Sequence, residues 1–240
     1  MADHSRAIER VAIFIDGWNF AKATYEGLGI RVDFKRLLTT LTAGRTLLRA
    51  YYYIGEWSED SYTQLQTLRR ARVAEGMAVS VDPVENDRKR AQQQGFIRML
   101  NRNGYQVVRK PVNVFADGNT KADINVELAI DMLSIASRCD RVILVTGDSD
   151  FLPLVRAVGQ SGVRVQIVAT QATYAYNTTI DHPRLFPARA ADDLLDAADE
   201  FTDLKELAPD IELQDPRRQA RPFTPVETGT HSEHQHADLD

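Results

Sequence analysis

Val11-Ala12-Ile13-Phe14-Ile15 is an unbroken apolar run, rich in β-branched residues, that ends abruptly at Asp16-Gly17-Trp18-Asn19. A strand without polar alternation is buried on both faces, as in a parallel sheet covered by helices on either side. Gly17 lets the chain turn at once, so Asp16 sits at the carboxyl end of the strand and Asn19 at the start of the next helix. Leu144-Val145-Thr146-Gly147-Asp148-Ser149-Asp150-Phe151 repeats the arrangement with two acids. Ligands of doubly wound sheets bind outside the carboxyl ends of the strands, near the switch in strand order. Two separate strands delivering carboxylates there is the main functional signal.

Working outward, strand-like runs recur at Thr46–Ile54, Met77–Val81, Val107–Val108, Arg141–Val145 and Val163–Ala169. Helical spacing separates them. One helix is capped by Asp33, and others span Asp60–Ala74, Arg90–Arg102 and Asp123–Ser137. A further helix opens at Asp148, and the last runs from Asp192 to Leu207. This alternation predicts an α/β, doubly wound, mainly parallel sheet flanked by helices as three layers. A single domain is expected over residues 10–207. From Ala208 to Asp240 the composition turns to Pro, Arg, Gln, Thr and His, and a disordered acidic tail is expected. Its His231, His234 and His236 have no packed scaffold that would make them a metal site.

The 240-residue chain carries a net charge of −5, which argues against a strongly cationic nucleic-acid binder. The charge is unevenly spread, however. Arg69–Lys110 holds ten Lys and Arg against four Asp and Glu, whereas the tail holds seven acids and three arginines. The basic segment is read either as a polyanion surface or as solvated helix faces. The one cysteine, Cys139, excludes an internal disulfide and a thiolate zinc site. No window is long and apolar enough to span a bilayer, and Met1–Arg10 lacks the apolar core of a signal peptide. A cytoplasmic location with no membrane partner is expected.

Gathered carboxylates repel one another unless a cation compensates. A donor set of oxygens alone points to Mg²⁺ or Mn²⁺ rather than zinc. Capping explains one aspartate at a helix start, but not three at two strand ends. A third contribution comes from Asp117-Gly118-Asn119-Thr120-Lys121-Ala122-Asp123-Ile124-Asn125-Val126-Glu127. There Asp123 is expected near a helix N-terminus, with Glu127 one turn later on the same face. Lys121 either meets a phosphate or solvates the loop. There is no P-loop, no dinucleotide fingerprint and no nucleophile elbow, and His182 reads as a loop residue before Pro183.

Phe14–Asn19 and Val145–Phe151 resemble the two signature motifs of the NYN domain family, of the PIN-like nuclease fold. The bacterial LabA-like branch is the nearest in pattern. Val126–Met132 and Ala197–Phe201 resemble that branch too, and the likeness runs from about Arg10 to Leu207. The resemblance implies a Mg²⁺- or Mn²⁺-dependent ribonuclease with Asp16, Asn19, Asp148 and Asp150 as catalytic residues. Asp16, Asp123, Asp148 and Asp150 would hold the metal. Family sequences often place an aspartate where this chain has Asn125, and Asp123 is the carboxylate available two residues earlier. Thr146, Ser149, Lys121, Arg88, Lys89, Arg90, Arg109 and Lys110 are the expected substrate contacts, RNA the expected partner, and a homodimer an open expectation. Two other readings compete. One is a non-catalytic RNA-binding or regulatory adaptor that keeps the fold. The other is a different Mg²⁺ fold, for which a Toprim domain would want Glu at 16 and a haloacid-dehalogenase phosphatase Asp at 18, where Trp18 stands.

Overall fold

The structure is a computed structural model that describes residues 8–74, 83–116, 120–171, 174–176, 184–186 and 189–214. The expected strand Met77–Val81, the stretch Asp117–Asn119, His182 and the tail from residue 215 lie outside the described residues.

The chain opens with β1 (Arg10–Asp16), α1 (Gly17–Ala21) and a π-helical turn over Lys22–Gly27. Next come α2 (Phe34–Thr42), β2 (Thr46–Glu56), α3 (Glu59–Ala74), α4 (Pro83–Arg102) and β3 (Tyr105–Pro111). A small antiparallel pair, β4 (Asn113–Val114) and β5 (Thr120–Lys121), leads into α5 (Asn125–Ala136). β6 (Arg141–Val145), a 3₁₀ turn over Ser149–Phe151, α6 (Leu152–Gln160) and β7 (Arg164–Ala169) follow. A second small pair joins β8 (Tyr174–Tyr176) and β9 (Arg184–Phe186). The described chain closes with α7 (Asp192–Asp196), β10 (Glu200–Asp203) and α8 (Leu204–Ile211).

The main sheet has six strands in the order β10-β7-β6-β1-β2-β3, all parallel. From β1 the chain winds one way through β2 and β3, then returns to the other side for β6, β7 and β10. The switch in strand order therefore falls between β1 and β6. Every residue of β1 after Arg10 is buried, as an unalternating apolar run requires.

One face of the sheet carries Ala12, Phe14, Val142 and Leu144 against Leu128 and Met132 of α5, Val155 and Val158 of α6, and Leu194 of α7. The other carries Val11, Ile13, Ile15 and Ile143 against Phe20, Leu37, Leu100, Leu204 and Ile211 from α1, α2, α4 and α8. The α/β three-layer expectation is met.

Several boundaries differ from the sequence reading: α4 starts at Pro83 rather than Arg90, β3 runs from Tyr105 to Pro111 rather than over Val107–Val108, and three further differences bear on the domain. Asp192–Leu207 is not one helix but helix, strand and helix, with β10 pairing in parallel to β7 at the sheet edge. Leu194, Leu195, Ala198, Phe201 and Leu204 keep helical spacing because two of the three pieces are helical. The four-residue strand between them is too short to impose its own period. The helix expected from Asp123 starts at Asn125, since Ile124 already has the capping position. Finally, α8 continues past Leu207 and Ala208 to Ile211, which is fully buried, and Glu212 pairs with Val32. Residues 208–214 thus belong to the packed domain rather than to a tail.

At the amino end of the strands Arg141 is 4% exposed and bonded to Glu9, Gln166 and Glu200. That brace ties β6 to β7, to β10 and to the segment before β1, at the end of the sheet opposite the strand-end acids.

Candidate functional site

Asp16 ends β1 and caps α1. Its Oδ1 accepts from the backbone N–H groups of Trp18 and Asn19, both at 3.2 Å. Its Oδ2 accepts from the Asn19 amide at 2.6 Å and the Thr146 hydroxyl at 3.1 Å. Two oxygens offer about four acceptor sites, so every one is used. Burial pushes the Asp16 carboxyl above its ordinary range, opposed by the donors from Asn19 and Thr146 and reinforced by the nearby charge of Asp148. The close fit explains Gly17: a Cβ there would come within 2.4 Å of the Tyr53 carbonyl and 2.6 Å of the Tyr52 ring.

Thr146 follows β6 and is 2% exposed. Its Oγ1 donates to Asp16 and accepts the backbone N–H of Asp148 at 3.3 Å. One hydroxyl therefore joins the acid of β1 to the acid after β6, so Thr146 holds the two acids in place from within the core. Asp148 caps the 3₁₀ turn, its Oδ1 accepting from the Asp150 N–H at 3.0 Å. Asp148 is half-buried, and Ser149 and Asp150 are exposed.

Asp16, Asn19, Asp123, Asn125, Asp148 and Asp150 all line one cleft of about 1040 Å³. Nevertheless, among the described residues no three His, Cys, Asp or Glu side chains stand close enough together to hold an ion. The four expected ligands share a cleft without forming a closed cage. Asp123 is exposed, precedes α5, and pairs with Lys121 at 3.1 Å, which draws its carboxyl below the ordinary range. Glu127 lies within α5 and pairs instead with Lys110 at 2.7 Å. Asp131, from the segment that carries the family likeness, accepts from the Tyr53 hydroxyl at 2.9 Å and fastens α5 to β2.

The expected substrate cations are placed differently from the sequence reading. Of these, only Lys121 lines the cleft. Arg109 pairs with Glu56, Lys110 with Glu127, and Arg90 with Glu59 and Asp87. Arg88 and Lys89 on α4 and Ser149 in the 3₁₀ turn are exposed, and none of the three lines the cleft. The cations the sequence reading missed are Arg31 and Lys35, which line the cleft from the loop before α2 and its first turn. Only their nearness to the Asp33 cap could have pointed to them. The exposed rings of Trp18 and Tyr25 line it as well.

Comparison with known proteins gives a consistent picture. The model of the NYN domain family matches residues 10–205. The chain is similar to the low amplitude and bright protein LabA of Synechococcus elongatus, at 26% identity over 85% of this chain and 88% of that protein. Its fold is similar to a crystal structure of a protein of unknown function from Vibrio parahaemolyticus. That likeness has a TM-score of 0.57 and 24% identity, covering 89% of this chain and 99% of the other. Among the described residues no helix is long and apolar enough to cross a membrane.

Proposed function

Since the chain belongs to the NYN domain family, we propose that it hydrolyses RNA phosphodiesters with Mg²⁺ or Mn²⁺ in the cleft outside β1 and β6. The observation that carries this reading is the placement of Asp16 and Asp148 at the switch in strand order, where the Thr146 hydroxyl bonds the carboxylate of the one and the backbone N–H of the other. The donor set fits a hard divalent ion of one kind. Mg²⁺ parts reluctantly with its water and is commonly held by only one or two carboxylates. A cleft lined by dispersed aspartates suits that better than it suits a fully protein-ligated ion.

Asp148 and Asp150 would hold the ion, with Asp16, whose oxygens already have four donors, and Asp123 or Asn125 lining the same cleft. Bound there, the ion supplies a water of lowered pKa and offsets charge developing on the phosphate. Asn19 and Thr146 keep Oδ2 of Asp16 in a fixed position. Arg31, Lys35 and Lys121 supply positive charge along the cleft for the rest of the strand. The Lys121–Asp123 pair is exposed, so solvent screens it and a phosphate can compete for the lysine.

The test is cleavage of labelled RNA by the full chain in Mg²⁺ or Mn²⁺, against the double variant Asp148→Asn, Asp150→Asn. Cleavage should fall at least about a hundredfold, the scale on which losing electrostatic stabilisation acts. Equal cleavage by both proteins would overturn the catalytic reading. The dispersal of the acids favours one second reading, an RNA-binding adaptor. RNA retained but never cut by the wild-type chain would establish it.

A further inference from the structure

Trp18 and Tyr25 are each 67% exposed, although both are large aromatic residues. Single exposed apolar residues are ordinary on a protein surface. These two, however, lie on one ridge, formed by α1 and the π-helical turn that follows it, and both face the cleft that Asp16, Asp148 and Asp150 line. The backbone N–H of Trp18 donates to Asp16 itself, so the side chain starts beside the strand-end acid. Lys22 stands between them in sequence, its ammonium 4.9 Å from the Trp18 ring centroid. π-helical turns are rare and frequently sit at functional sites.

We propose that Trp18 and Tyr25 form a platform on which unpaired bases stack, threading an RNA strand past the acids. This rests on the cleft being an RNA site. Seven residues of α-helix would set the two Cα atoms about 10 Å apart along the axis, and the π-helical turn draws them somewhat closer. A strand rising about 3.4 Å per nucleotide spans that in roughly three nucleotides. Every base has a π-face, so such a platform tolerates any sequence. It rejects a duplex, whose base faces are already covered. Lys22 beside the first ring, with Arg31 and Lys35 along the cleft, gives the ridge the positive charge that a phosphate backbone requires.

Binding of a short labelled RNA is measured in chelator, so that no cleavage intervenes, for wild type, Trp18→Ala, Tyr25→Ala and Trp18→Phe. Each alanine variant should bind roughly five- to a hundredfold more weakly, and the phenylalanine variant should recover most of the loss. On an RNA made abasic at successive positions the Trp18→Ala penalty should vanish, because the partner ring is gone. In a Trp57→Phe background Trp18 is the only indole, and its emission should be quenched by intact RNA and not by the abasic strand. Equal penalties on intact and abasic RNA, or no penalty on either, would overturn the platform. A wild-type chain that binds without cutting removes the nuclease reading and leaves the platform standing. One that binds no RNA removes both.

Discussion

At the scale of the residue, the site depends on a few atoms with no slack. Gly17 has the Tyr53 carbonyl 2.4 Å from where a Cβ would stand, and backbone of a central strand does not yield as a side-chain tip would. Gly17→Ala should therefore cost roughly 1–3 kcal/mol or more, read as a lower denaturant midpoint with an unchanged slope. Thr146→Val removes a donor to Asp16 and an acceptor for the Asp148 N–H in nearly the same volume. A loss of about 1–3 kcal/mol is expected from those unpaired buried groups, and Thr146→Ser should restore most of it. Asp16, Asn19, Asp148 and Asp150 were legible as site candidates because an acid after a doubly buried strand has only one place to go. The substrate role expected for Thr146 was read from its neighbours. In the fold Thr146 is buried and links the carboxylate of Asp16 to the backbone of Asp148.

At the scale of the element, the informative pieces are those whose pattern misleads. β10 is hidden inside a helix-like spacing, and only pairing with β7 makes it a strand. α8 carries Pro209 within it and continues to the fully buried Ile211. Truncation after Gln214 should leave the thermal midpoint near that of the full chain. Truncation after Leu207 should lower it clearly, since emptying a buried isoleucine site alone costs about 2–5 kcal/mol. Matching midpoints for the two truncations would return residues 208–214 to the tail. The basic segment of α4 and β3 was legible as charge but not as function. Arg109 and Lys110 have acidic partners from other elements, and so does Arg90 in Glu59 beside its own-helix partner Asp87, so a count along the chain could not find these cross-element pairs.

At the scale of the whole molecule, two ionisable groups give stability opposite dependences on pH. Arg10 holds the Asp140 carboxyl down to about 2, from an ordinary 3.8. Its contribution is complete above the unfolded value and is lost as pH falls toward about 2. Asp140→Asn should therefore lower the denaturation midpoint at neutral pH, and the difference should close on acidification. Asp16 has the reverse sign: its raised pKa favours the folded state in acid, an advantage lost as pH rises through its ordinary value toward the folded one. A denaturation series from pH 2 to 7 on Asp140→Asn and wild type checks the first of these directly.

The sequence by itself determined that a parallel sheet with helices on both faces would form, and that Asp16, Asp148 and Asp150 would stand at its carboxyl edge. Those features follow from local period and from where a buried run stops, both of which a chain carries with it. Tertiary structure decided what the acids face. It brought Arg31, Lys35, Trp18 and Tyr25 to the cleft, paired other cations with carboxylates from distant segments, and set the four aspartates along one wall-lined space without closing them on one another. Which charges neutralise each other depends on distances between elements, and those exist only once the layers have packed.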